Sequence, residues 1–346
     1  MRPVSNYCPD QNKFAPCQTS LSLPGYCIHQ EESNINSVDT LSPAPQVLLS
    51  GASGMLGTAL RETLAARNFS VLQLLRSVPV APNQIQWSPT STPAVPDRES
   101  LEGLTAAIHL SGANVAAHRW TAGYKREIAR SRIESTRALA STLAGLRRPP
   151  QMLLVASATG IYGNRGDELI DETSPLGSGF LASVCQEWES AAQPAVEAGI
   201  RVLHLRFGVI LGPGGALARL LPLFRFGLGG RLGSGRQFMS WISLTDALEA
   251  ILFLLKSTTL AGPFNITAPN PITNAQFTSA LARRLHRPAF LAVPAFALRL
   301  ALGEMADEML LMGARAYPAK LVAAGYQFTH PTLGHALPSL LTPKQQ

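Results

Sequence analysis

Cysteine is scarce in this sequence: there are four in 346 residues, and three of them, Cys8, Cys17 and Cys27, precede residue 30. Only Cys185 lies in the body, and neither cysteines nor histidines are spaced as zinc ligands, so no metal site is expected. Long apolar runs are missing too. A membrane span needs about 18 consecutive apolar residues, and the longest candidates, 248–255 and 290–302, are short or broken by Pro294 and Arg299. No membrane span is therefore expected. The first 45 residues lack an apolar secretory core, and with four acidic and two basic side chains they are neither acid-free nor arginine-rich like an organellar leader. Their Asn, Ser, Gln and Pro residues show no periodicity, which predicts a disordered extension over 1–45. A cytoplasmic protein follows, with a plastid leader or a start codon assigned too far upstream as the alternatives.

Acidic charge is in deficit, leaving a net +7 that sits in the body of the chain, around Tyr124-Lys-Arg-Glu-Ile-Ala-Arg-Ser-Arg132 and the arginines of 201–236. A nucleic-acid footprint would cluster its bases with stacking aromatics, whereas these are spread over helix and loop segments and interleaved with Glu127 and Glu134, a pattern that excludes nucleic acid and suits a small anionic substrate. At 46% hydrophobic, the chain can bury a large core.

What is present begins at Gln46-Val-Leu-Leu-Ser-Gly51-Ala-Ser-Gly54-Met-Leu-Gly57, an apolar strand running into three spaced glycines and then a helix predicted over 54–67. Gly51 permits the tight turn, Gly54 lets backbone approach a pyrophosphate, and Gly57 allows the helix to pack closely on the strand. Ser53, Met55 and Leu56 complete the cradle. A second strand, Ser70-Val-Leu-Gln-Leu-Leu75, ends in Arg76-Ser77 where an NAD site usually carries an acid for the ribose 2′-hydroxyl. A guanidinium and a hydroxyl suit a 2′-phosphate, so NADP(H) is preferred over NAD(H).

Strands and helices then alternate as in a parallel sheet covered on both faces. The pattern predicts a short strand at Gln84-Ile-Gln-Trp87, a buried strand Ala106-Ala-Ile-His-Leu-Ser-Gly112, a helix over 121–146 and the strand Met152-Leu-Leu-Val-Ala-Ser157. A helix over 179–199 and the strand Arg201-Val-Leu-His-Leu-Arg-Phe-Gly208 follow. The reading is a Rossmann-type doubly wound α/β fold spanning 46–210, with 237–267 returning to it, and a smaller mixed C-terminal substrate or lid region from 211–236 and 268–346. Ligands of open α/β sheets lie at the carboxyl ends of the strands. The turns after Ser50, Leu75, Leu110, Ser157 and Phe207 should thus border one cleft, with Ser111 and Gly112 against the cofactor.

Several motifs carry a family resemblance: Ile108-His-Leu-Ser-Gly-Ala-Asn114, Arg119-Trp120, Ser131-Arg-Ile-Glu-Ser-Thr-Arg137, Ser157-Ala-Thr-Gly-Ile-Tyr-Gly163, Phe180-Leu-Ala-Ser-Val-Cys-Gln-Glu-Trp-Glu189 and Gly235-Arg-Gln-Phe-Met-Ser-Trp-Ile242. Over 46–341 the chain resembles the extended short-chain dehydrogenase/reductase superfamily, and within it the NAD(P)-dependent epimerase/dehydratase-like proteins of subfamily 39U. The resemblance implies an oxidoreductase or epimerase, and a monomer or homodimer. Because some cyanobacterial and plastid members are linked to cell division, it also leaves a non-catalytic NADP(H)-binding regulatory protein as the alternative.

In that superfamily a tyrosine passes the proton, a lysine four residues later lowers the phenol pKa and holds the ribose, and a Ser or Thr orients the carbonyl. Here none of the five lysines (13, 125, 256, 320, 344) has a tyrosine four residues before it. The helix that should carry the dyad offers Phe180 or Leu181 for the tyrosine and Val184 or Cys185 for the lysine. The serine position falls on Ala158, flanked by Ser157 and Thr159. Catalytic candidates are therefore Ser157, Thr159 and Tyr162; Cys185 reads as a thiol acid or a small core residue, and Glu187 or Glu189 as a carboxylate facing the cleft or a solvated helix face. For an anionic substrate the candidates are Asn114, Arg236, Gln237 and Trp241.

Overall fold

The computed structural model describes residues 44–341. The expectation of disorder over 1–45 and the three N-terminal cysteines fall outside the described residues, apart from 44 and 45. Seven parallel strands form the central sheet. They are β1 (Gln46–Ser50), β2 (Ser70–Leu75), β3 (Gln84–Gln86), β4 (Ala106–His109), β5 (Met152–Ala158), β6 (Arg201–Phe207) and β7 (Gly262–Ile266). Their spatial order is 3-2-1-4-5-6-7, with Val47 beside Val71 on one flank and Ala106 on the other. The order reverses between β1 and β4, which opens the crevice where a doubly wound sheet receives its ligand.

Strand alternation decides which helices cover which face. Val47 and Leu49 of β1 point to one side, where they pack with Leu60 and Leu64 of α1 (Met55–Ala66) and with the helix Leu244–Lys256 through Ala247, Ala250 and Ile251. Leu48 points to the other side, against Leu139, Ala140 and Leu143 of α2 (Ala122–Ala144) and Trp188 of α3 (Phe180–Ser190). Parallel strands buried on both faces read as continuous apolar runs, which is why Val47-Leu-Leu49 and Leu153-Leu-Val155 are legible as strands.

The helix expected over 179–199 is two helices, α3 and the short Gln193–Glu197. Ala191 and Ala192 turn the chain between them, and Pro194, which lacks the N–H needed inside a helix, sits in the first turn of the second. Outside the central sheet the chain forms small two-stranded pairings, including Gly230–Leu232 with Leu291–Val293 and Leu169–Ile170 with Arg315–Ala316. A third apolar cluster, with Leu217, Phe224, Trp241, Phe277, Leu281, Leu333 and Leu337, holds this region together.

The glycines after β1 have different reasons to be glycine. Gly51 has φ +74°, and a Cβ there would lie 2.7 Å from the Leu110 carbonyl carbon. At Gly57 a Cβ would fall 2.1 Å from the Gly51 oxygen. Replacing Gly57 with Ala should accordingly lower stability by about 2–3 kcal/mol through overpacking, measured by urea unfolding. Gly54→Ala, where φ is −75° and the nearest protein atom would be 3.6 Å away, should stay within about 1 kcal/mol of wild type.

Candidate functional site

Because all seven strands run the same way, the loops after β1, β2, β4, β5 and β6 gather at one edge. The cradle occupies its centre. No side chain caps α1, and its first turn holds no acid. Thr58 N–H is the first to bond within the helix, to Gly54 O at 2.8 Å, so the N–H groups of Met55, Leu56 and Gly57 have no partner among the described residues. Those donors and the positive end of the helix dipole face whatever approaches Gly54. The Met55 sulfur lies against Gly212 and Gly214, while the Leu56 side chain packs into the core, leaving only its backbone to face a ligand.

Arg76 and Ser77 are both exposed at the carboxyl end of β2. On the other flank, Leu110 and Ser111 press against Gly51, and Gly112 is exposed. Three groups of α2 hold this turn: Ser131 Oγ accepts from Ala113 N–H (3.0 Å), Arg132 donates to Ala113 O (2.9 Å), and Ser135 Oγ contacts His109 Nε2 (3.0 Å). The Ser135 proton goes to Ser131 O at 2.6 Å, so His109 donates from Nε2 and its Nδ1 accepts from Ser50 Oγ–H (2.6 Å). His109 is thus a neutral structural bridge joining β1, β4 and α2.

At β5, β6 and β7 the edge is closed by a polar network that sequence reasoning largely missed. Arg206, opposite Ser157 in the sheet register, makes a two-pronged ion pair with Glu189 of α3: Nε to Oε1 and Nη2 to Oε2, both 2.8 Å. Ser157 Oγ donates to the same Glu189 Oε1 (2.7 Å). Arg206 Nη1 donates to the Tyr162 oxygen (3.0 Å), and Tyr162 O–H donates to Asn265 Oδ1 on β7 (2.7 Å). Burial works to raise the Glu189 carboxyl, and the Arg206 hydrogen bonds, neighbouring charge and Ser157 outweigh it, holding it below its usual range.

Two catalytic candidates are therefore occupied. Ser157 is 3% exposed with its proton committed to Glu189, and Tyr162 is fully buried with its proton committed to Asn265. Burial raises the phenol pKa further from neutrality, the opposite of what an acid–base tyrosine needs. Thr159 is half-buried and its hydroxyl has no hydrogen bond among the described residues.

Where the dyad should be, the structure is apolar. Phe180 lies beneath Lys125 Nζ, 4.4 Å from the ring centroid, and edge-on to Trp120. Val184 and Cys185 are each 4% exposed. Burial pushes the Cys185 thiol up to about 12, which makes it a core residue and not a thiol acid. Glu187 is exposed, and Glu189 turns inward to Arg206 instead of facing the cleft.

Among the substrate candidates, Trp241 requires correction. It is fully buried in the C-terminal cluster and donates its indole N–H to Asn270 O at 3.0 Å, so it lines no cleft. Gln237 clamps loops, donating to Leu232 O (3.1 Å) and Leu310 O (2.8 Å). Asn114 and Arg236 are exposed.

Residues 47–268 match the NAD dependent epimerase/dehydratase family. The chain belongs to that family. Residues 293–340 match a second domain, of unknown function. Within the family, the chain is 44% identical over 292 residues to the epimerase family protein ML0860 of Mycobacterium leprae, covering 84% of this chain and 94% of that one. It is 34% identical over 336 residues to a chloroplastic SDR39U1 homolog of Arabidopsis thaliana, covering 93% of each. A crystal structure of the human epimerase family protein SDR39U1, with NADPH, matches with a TM-score of 0.78 at 33% identity, over 85% of this chain and 98% of that chain. Among the described residues, no helix is long and apolar enough to cross a membrane.

Two predictions test the site. Arg206→Met should destabilise by about 3–5 kcal/mol by stranding a buried carboxylate, and adding Glu189→Gln should recover much of that loss; a double-mutant cycle by urea unfolding reads both. His109 is held neutral by burial, its pKa lowered to about 3, whereas the unfolded chain takes up a proton near about 6.5. Its contribution is complete above that pH and is lost on acidification. Relative to His109→Gln, wild type should lose about 2 kcal/mol more stability between pH 7 and 5.

Proposed function

We propose that this family member binds NADP(H) at the carboxyl edge of the sheet and prefers it to NAD(H). The observation that carries this reading is the bare N-terminus of α1, with three unpartnered N–H groups in front of Gly54. Among the described residues the nearest atom to a Cβ on Gly54 would be 3.6 Å away, and a ligand approaching the backbone there supplies a reason for glycine. On this reading the N–H groups of Met55, Leu56 and Gly57 hold the pyrophosphate, and Arg76 and Ser77 grip the 2′-phosphate. Leu110, Ser111 and Gly112 form the wall beyond, with Phe207 at the far side. The NADPH in the human relative supports the assignment. When bound, the cofactor supplies hydride chemistry.

The catalytic half of the proposal is an oxidoreductase or epimerase with atypical proton transfer. Its substrate is a small anion met by Asn114 and Arg236, and 211–236 with 268–341 serve as its substrate side. Thr159 is then the hydroxyl available to orient a carbonyl. A specific observation favours the second reading, a non-catalytic NADP(H)-binding regulator: Ser157 and Tyr162 both spend their protons inside the Glu189–Arg206 network.

Fluorescence titration tests cofactor choice. Arg76→Ala should weaken NADPH binding about tenfold to a hundredfold and leave NADH unchanged; equal wild-type affinity for the two, or undiminished NADPH preference in the variant, refutes the 2′-phosphate assignment. Gly54→Val should abolish NADPH binding while the thermal midpoint stays near that of wild type, and a variant that binds normally rules out the cradle.

A further inference from the structure

Beside the polar network at β5–β7 and the apolar start of α3, the guanidinium of Arg132 makes bonds to two carbonyls that leave part of its donor fork unspent. Arg132 projects from α2 to the turn after β4, where its Nη1 donates to Ile128 O (3.1 Å) and its Nη2 to Ala113 O (2.9 Å). Its carbon centre lies 5.1 Å from the Trp188 ring of α3. A Cβ on Gly112 would be only 3.1 Å from that same carbon, so the guanidinium lies directly against the exposed turn that flanks the glycine loop through Leu110 and Ser111. It is half-buried, and among the described residues no carboxylate pairs with it.

A guanidinium has five N–H donors in a fixed planar fork. Two are spent on carbonyls, and the rest have no protein partner among the described residues. Holding an arginine half-buried and unpaired is unfavourable unless something else accepts from it, since a free side chain would carry its charge out to water. Here the opposite is arranged. The indole face and the two carbonyls hold the planar group in place between the β4 turn and α3, on the side of the cleft away from Arg76. Val184 and Cys185 behind it are apolar, so α3 supplies no cation to this wall.

We propose that Arg132 is the cation at the nicotinamide end of the cleft, donating its unspent N–H groups to the ribose hydroxyls of the nicotinamide half of a bound dinucleotide. The inference rests on the NADP(H) reading. It also explains why the Ser131-Arg-Ile-Glu-Ser135 segment bonds the 109–113 turn at three points: the turn and its arginine are held as one rigid wall. Arg132 is a binding residue that positions the nicotinamide; it is given no proton to move.

Two probes separate this from a purely structural role. NADPH contains both halves of the dinucleotide, while adenosine 2′,5′-bisphosphate contains only the half that meets Gly54 and Arg76. In full-length protein, Arg132→Ala should weaken NADPH about tenfold or more and leave adenosine 2′,5′-bisphosphate unchanged, whereas Arg76→Ala should weaken both. Arg132→Gln, which keeps a donor for Ala113 O, supplies the same comparison if the alanine variant does not fold. Equal weakening of both probes by both Arg132 variants, or no weakening of either, overturns the proposal. Wild-type protein that binds neither probe overturns the cofactor reading itself.

Discussion

The ion pair between Glu189 and Arg206 is the constraint on which the carboxyl edge of β5, β6 and β7 depends. Two charges taken out of water must satisfy each other and their remaining hydrogen-bonding positions, so the pair recruits Ser157, Tyr162 and, through Tyr162, Asn265. Each recruited group is thereby withdrawn from the cleft. The same pair fixes the end of α3 on the sheet, and the start of that helix is fixed separately by Glu308, whose two oxygens each accept a backbone N–H, from Phe180 and Leu181, at 3.1 Å. A helix that would elsewhere carry the proton-transfer dyad is here pinned at both ends and lined with apolar side chains.

The edge therefore has two characters. From β2 to β4 it is built of open backbone: an uncapped helix, an exposed arginine and serine, and a turn braced by α2. From β5 to β7 it is closed by internal polar bonds. This division sets the glycine cradle of the family fold apart from the place where the Tyr-x-x-x-Lys dyad is absent. The pyrophosphate and 2′-phosphate contacts proposed above fall in the first half, and the tyrosine and lysine that the sequence lacks would belong to the second.

The half that was legible in the sequence is the half built from local pattern. Strand, glycine spacing, helix and the Arg76-Ser77 strand end are contiguous, and Val47 to Leu49 announces a strand buried on both faces. Alternation of strands and helices announces a parallel sheet covered on both faces, and the order of its strands comes from the structure. Glu189 and Arg206 were not legible as partners, because their meeting depends on the register of β5 with β6 and on the rotation of α3 about its axis; a carboxylate beside Trp188 reads equally well as solvated. Trp241 misled for a related reason. Its neighbours Arg236 and Gln237 suggest a loop over a ligand, and only the packing of distant helices through Phe277 and Leu333 shows that the indole is core. The pairing of Leu169–Ile170 with Arg315–Ala316 joins segments too far apart in the chain for any local signal.

On the proposed reading, one edge of this sheet holds NADP(H) on backbone donors and Arg76 while Ser157 and Tyr162 remain locked behind it. A crystal structure of the protein with NADPH tests this most directly. The expected result is the pyrophosphate on the N–H groups of Met55 to Gly57, the 2′-phosphate on Arg76, and the bonds of Ser157 to Glu189 and Tyr162 to Asn265 unchanged. A dinucleotide seated elsewhere, or a Tyr162 phenol swung out of its network toward the nicotinamide, would contradict it.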